Sequence, residues 1–221
     1  MNETNYTELF DNLIVAFNET FLMCGISLGL AIVLGVPLGI LLFITSKGLF
    51  WQNRILNIIS GIIINIIRST PFVILLVLLL PFTRLVVGTS IGPIAASVPL
   101  GIVAIAFYAR LVESSLQEVD KGVVEAAIAM GATHFQIIKD VLLPESLGGL
   151  LRGLTITAIS LVGYSAMAGI VGGGGVGDLA IRFGYYRYQT DVMVVTVVLL
   201  VVLVQIVQSL GDVAAKKAEK K

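Results

Sequence analysis

The amino-acid sequence predicts an all-α polytopic membrane protein with five transmembrane helices in a single domain, residues 1–221. Three observations carry that expectation. The chain is 57% hydrophobic and only 13% charged, against roughly 25% charged in soluble domains, and its mean hydropathy is +1.01. Five apolar runs recur, each near the length of about twenty residues that crosses the hydrocarbon core as a helix. Between the third and fourth runs lies a polar-flanked island whose apolar positions follow a helical period instead. The expected spans lie near 20–45, 55–80, 91–112, 151–171 and 191–211, with the island forming a loop at 113–150.

Residues 1–19 carry Glu3, Glu8, Asp11 and Glu19 and no Lys or Arg. A secretory signal starts with positive charge, so the first apolar run is read as a retained span. Leu9, Leu13 and Phe17 suggest an amphipathic helix lying along the membrane surface ahead of it. Within the first span, Gly35 and Gly39 stand at the spacing that lets membrane helices approach closely. Span two carries Asn65, Arg68, Ser69, Thr70 and Pro71 near its middle. An arginine at that depth costs about 2.5–3.5 kcal/mol on insertion scales. Arg68 is therefore expected to face a pore or gate, or else to snorkel or pair structurally with Glu113 or a backbone carbonyl. Pro71 frees a backbone carbonyl and invites a kink, which a Ser69 or Thr70 hydroxyl can re-satisfy.

Span three ends at Arg110 and Glu113, which mark its polar border. No Asp or Glu falls inside the expected hydrocarbon interior, and proton- or sodium-coupled carriers commonly depend on such groups. Span four is partly polar: Tyr164, Ser165 and Met167 suit either the lining of a path or ordinary helix packing. The run Gly172-Gly173-Gly174-Gly175-Val176-Gly177 satisfies a dinucleotide fingerprint literally but has no preceding strand. It reads as a flexible turn on the outer face, leading to a segment rich in Tyr and Arg from Ile181 to Asp191. Span five is a Val/Leu run followed by a lysine-rich tail.

Basic residues set the orientation. With the N-terminus outside, the inner face receives Lys47, Arg54, Arg110, Lys121, Lys139, Arg152, Lys216, Lys217, Lys220 and Lys221, and the outer face only Arg84, Arg182 and Arg187. That asymmetry places the N-terminus outside, and the C-terminus and the 113–150 loop in the cytoplasm. A zero formal net charge and no basic patch interleaved with aromatics argue against a nucleic-acid partner. Cys24, the single cysteine, excludes an intrachain disulfide. His134 has no partner at metal-ligand spacing and reads as a solvated loop histidine. No metal site and no catalytic residue is assigned.

The island itself reads as two short helices. Val123, Val124, Ala127, Ile128 and Met130 recur at helical spacing before Gly131; Phe135, Ile138, Val141 and Leu142 do so after it. Gly131 permits the turn, and Pro144 is expected to end the second helix and hold Leu143 extended. The pattern Glu125-Ala126-Ala127, three residues, Gly131, nine residues, Val141, one residue, Leu143-Pro144 resembles the EAA loop of ABC-importer permeases, with Val141 at the position of that family's isoleucine. In that family the loop carries a coupling helix that docks in the ATPase subunit. The resemblance extends along most of the chain to the permeases of methionine importers. It is carried by Arg68 to Val77, by Pro81-Phe82-Thr83-Arg84 with Val87 to Gly92, and by Leu161 to Met167 with the glycine run. It implies a type I ABC importer permease fold in the bacterial cytoplasmic (inner) membrane. It also implies a second copy of the chain, two separate ABC ATPase subunits that bind ATP and Mg, and an extracytoplasmic substrate-binding protein or lipoprotein. The implied function is import of methionine, as D- or L-isomer or derivative, with Tyr164 and Met167 at or near the gate. The chain is then not itself an enzyme. The alternatives are a permease for another amino acid or small polar solute, and a stand-alone secondary transporter.

Overall fold

A computed structural model describes residues 6–219, all of whose regular elements are helical; Glu3, Lys220 and Lys221, which entered the charge count, lie outside them. The chain opens with α1 (Tyr6–Leu30), which runs through a π-helical turn (Ala31–Gly35) into α2 (Val36–Ile44). Pro37 explains the turn, because a widened backbone ladder tolerates a residue that lacks an N–H. The segment expected to lie along the membrane surface is continuous with this helix. Leu13 and Phe17, partly buried, pack on Val176 and Leu179, so this apolar face is turned toward the bundle. The apolar stretch Leu9–Ile44 has 36 residues, about 54 Å at the α-helical rise, well beyond the ~30 Å hydrocarbon core.

The second expected span is two helices, α3 (Arg54–Ser69) and α4 (Phe72–Val87), bent by 111°. At 16 residues each, about 24 Å, neither crosses the core alone. Thr70, forced out of helical geometry by the following proline, has φ −82° and ψ 127°, so the expected kink becomes a full break. Thr70 also returns its hydroxyl to the Ile66 carbonyl at 2.9 Å. Counting that bent pair as one, up to five helical stretches are long and apolar enough to cross a bilayer.

The bundle is built round α5 (Pro93–Gln117), which packs on α1, α2, α3, α4 and a later helix, α9 (Leu147–Gly169). Leu100, Ala109, Val112 and Leu116 on it are almost wholly buried. The close approach of α2 is made at Gly39, where a Cβ would stand 2.6 Å from the Ala109 carbonyl oxygen. The spacing of Gly35 and Gly39 is therefore a helix-packing device. The island is built of α6 (Lys121–Ala129), α7 (His134–Gln136), a second π-helical stretch (Ile137–Leu142) and α8 (Leu143–Glu145). The chain then crosses back as α9 (Leu147–Gly169), turns into α10 (Gly175–Leu179) and a third π-helical stretch (Ala180–Tyr185), and ends in α11 (Thr190–Glu219).

The glycine run is not a loose turn. Gly174 and Gly175 have φ of 77° and 89°, open to glycine at little cost, and a Cβ on Gly177 would collide with Ala166. Glu19 and Thr20 of α1 close the turn: the Gly175 N–H donates to Glu19 Oε2 at 2.7 Å and the Val176 N–H to Thr20 Oγ1 at 3.0 Å. A carboxylate at a helix start satisfies donors that have no partner within the helix.

Candidate coupling loop and translocation path

Local hydrogen bonding shapes the loop. Asp120 caps α6 by accepting from the Gly122 N–H at 2.7 Å. Gly131 has φ +81°; its N–H donates to the Ile128 carbonyl and the Ala132 N–H to the Ala127 carbonyl. Those two bonds form a Schellman turn, which needs a left-handed residue at this position. Thr133 and Gln136 then make a reciprocal capping box at the start of α7, satisfying backbone donors at the helix start.

Pro144 does not stop the second helix. Leu143 is helical, with φ −66° and ψ −45°. The π-helical turns of Ile137–Leu142 precede the proline and relieve the crowding of its ring against the preceding turn. The chain therefore runs helically from His134 to Glu145, makes a turn at Ser146 and enters α9. Leu143 is half-buried and Pro144 exposed.

Burial divides the loop into an inner and an outer face. Ala127, Ile137 and Leu142 are buried, and Val124, Ile138 and Val141 pack against the same core. The other face presents Val123, Ile128, Met130 and Phe135, with Met130 82% exposed and Phe135 71%. Glu125, Ala126 and Gly131 are exposed beside them. Asp120, Lys121, Lys139 and Asp140 flank this face, which keeps it out of hydrocarbon. An exposed apolar patch rimmed by charge has the composition that suits contact with another protein. Glu125 and Ile128 also line a groove of about 630 Å³ shared with Phe43, Lys47 and Leu116. His134 stacks on Phe50 at 4.9 Å between centroids, pinning α7 to the α2–α3 connection.

The expected path residues are only partly gathered. Tyr164 stacks on Phe72 at 4.9 Å, at the α3–α4 break. Arg68 lies exposed on the near side of the same break, its guanidinium 5.9 Å from the Phe107 ring centre. It does not pair with Glu113. That carboxylate is taken by Arg110 at 2.5 Å and by the Gln117 amide at 3.3 Å, while Arg110 also donates to Asn65 Oδ1 at 3.0 Å. Met167 is 41% exposed. Ser165 is turned away: it is buried, and its hydroxyl donates to the Val162 carbonyl at 2.8 Å. Neighbouring helical positions point about 100° apart, so Ser165 and its neighbour Tyr164 cannot share one face. Phe72 and Phe107 were not singled out in the sequence because an aromatic inside an apolar run carries no signal of its own. Among the described residues no His, Cys, Asp or Glu cluster suits a metal ion.

The profile of the family described as "Binding-protein-dependent transport system inner membrane component" matches residues 31–220, most of the chain. The chain belongs to this family. Within it, the chain is 52% identical over 209 residues to the "Probable D-methionine transport system permease protein MetI" of Vibrio cholerae, covering 95% of this chain and 93% of that protein. It is 49% identical over 181 residues to the "Methionine import system permease protein MetP" of Bacillus subtilis, with 82% of each covered. Among solved structures, a chain of the inward-facing MetNI methionine ABC transporter superposes with a TM-score of 0.94 and 46% identity, covering 99% of each chain. The five-stretch helical layout is thus that of a known ABC importer permease.

Proposed function

We propose that this permease forms the translocation path of an ATP-driven methionine importer, taking D- and L-methionine or close derivatives. It lies in the bacterial cytoplasmic membrane with its N-terminus outside and its C-terminus in the cytoplasm. Two copies enclose the path at their shared interface. Each offers α6 to one of two separate ATPase subunits, which bind ATP and Mg, and a substrate-binding protein or lipoprotein delivers substrate from outside.

The observation that carries this reading is the apolar outer face of the coupling loop, Val123, Ile128, Met130 and Phe135, left uncovered among charges. A lever must be stiff on one side and adhesive on the other. Ala127 and the π-helical segment supply the stiff side, seated in the core that includes Leu116 of α5. When ATP closes the two ATPases, the paired α6 helices are drawn together. That displacement passes to α5 and α9, and the path turns from inward- to outward-facing. Such a switch is a rigid-body change in which nucleotide and substrate each favour a different state. Arg68 and Tyr164 stand at the α3–α4 break, and with the exposed Met167 they line the path.

Labelled methionine uptake into proteoliposomes tests the reading. Uptake is expected only with the permease, its ATPase, the binding protein and ATP together. Uptake by the permease alone, or without ATP, would establish a secondary carrier instead.

A further inference from the structure

A second feature lies where α2 passes into α3, outside the coupling loop. Thr45, Lys47, Gln52, Arg54, Asn57 and Ile58 surround an open cavity of about 450 Å³. Lys47 and Arg54 are exposed and make no ion pair among the described residues. No acidic residue lines this cavity; Glu125 belongs to the neighbouring groove that Lys47 also borders and makes no ion pair with it.

The frame under these cations is rigid. The Asn57 amide donates to the Leu42 carbonyl at 2.8 Å and to Thr45 Oγ1 at 3.1 Å, and the Asn53 N–H donates to the Thr45 carbonyl at 3.1 Å. The start of α3 is thereby tied to the end of α2. Gln52 Oε1 accepts from the Gly48 N–H at 3.4 Å, which leaves its amide nitrogen free to donate. Beside the cavity Trp51 is 62% exposed, and below it Ile55, Ile59 and Ile62 form an uncovered apolar stripe on α3. Tryptophan favours the headgroup level, and such an apolar stripe suits acyl chains.

We infer that this cavity binds the phosphodiester headgroup of an anionic phospholipid, phosphatidylglycerol being the probe, with its acyl chains along the stripe of α3. Lys47 and Arg54 neutralise the phosphate, and Gln52 donates to one of its oxygens. Asn57 Oδ1 accepts from a headgroup hydroxyl. On the proposed orientation the lipid belongs to the inner leaflet, but its chemistry does not depend on which solute is carried. The bound lipid would hold the α2–α3 connection, and through the Phe50–His134 stack the base of the coupling loop, at a fixed depth.

The test uses the full-length permease in nanodiscs of phosphatidylcholine with a minor fraction of phosphatidylglycerol. Retained phosphatidylglycerol is counted by native mass spectrometry, a readout that needs neither ATP nor methionine. Each cation near an anionic surface contributes roughly fivefold in affinity, so Lys47→Gln with Arg54→Gln should weaken retention about 25-fold. The pair Lys216→Gln and Lys217→Gln, which removes the same charge from the tail, should leave it unchanged. Equal loss in both pairs, or none in the first, overturns the site. Displacement of the lipid by millimolar inorganic phosphate would assign the cavity to a soluble anion and equally overturn it. If the double variant does not fold, the single Lys47→Gln change on an exposed side chain carries the test, with about a fivefold loss expected.

Discussion

The most direct perturbation of the proposed lever is at Gly131. Its φ of +81° is required by the Schellman turn, and a Cβ placed there meets no atom within 4 Å. Substitution therefore strains the backbone without causing a clash. An L-residue in left-handed geometry costs roughly 1–2 kcal/mol, whereas asparagine tolerates that geometry at a fraction of the cost. The protein can keep the turn and carry the strain, or relax it and let α6 leave the core at another angle. A kept turn carries the strain both free and bound and leaves affinity unchanged. The expected loss is therefore that of the relaxed loop, which the ATPase must return to a conformer disfavoured by up to that amount. Gly131→Ala and Gly131→Leu should then weaken ATPase association about 5- to 30-fold, by similar factors because the space is open. Gly131→Asn should stay close to wild type. Association is measured by titrating labelled ATPase onto permease in nanodiscs, with thermal unfolding of the permease as control. Wild-type affinity in the Ala and Leu variants, or an Asn variant as weak as Leu, would refute the reasoning.

Three further outcomes are expected. Gly39→Leu brings side-chain atoms against the Ala109 backbone, and overpacking of this kind costs about 1–3 kcal/mol; it should show as a lower unfolding temperature and less permease in the membrane. Glu19→Ala removes the carboxylate that receives the Gly175 N–H, a charge-assisted bond worth about 1.5–3 kcal/mol; unfolding temperature should fall while ATPase affinity, set at the other end of the bundle, stays unchanged. Arg68→Ala loses only a cation–π contact of about 0.5–1 kcal/mol, so the complex should assemble normally while methionine uptake falls. Normal uptake at normal expression would remove Arg68 from the path.

Amino-acid order alone determined the membrane class, the approximate positions of the apolar stretches and the island between the third and fourth. These follow from hydropathy and period, which are local properties of the chain. The turn at Gly131 and the close approach at Gly39 were also legible, because each depends on one residue type at one position. Tertiary structure decided the rest. Pro71 breaks its span outright, whereas Pro144 sits in a helical run behind π-helical turns and Pro81 and Pro99 sit inside α-helices. The glycine run is tight because Glu19, 156 residues away in sequence, reaches its backbone. Arg68 rests on Phe107 rather than Glu113, because Arg110 on the same helix as Glu113 holds that carboxylate first. Ser165 is buried while Tyr164 meets Phe72, a division fixed by how α9 is rotated against its neighbours. Rotation, break angle and long-range partners arise only when helices pack, and no local pattern encodes them.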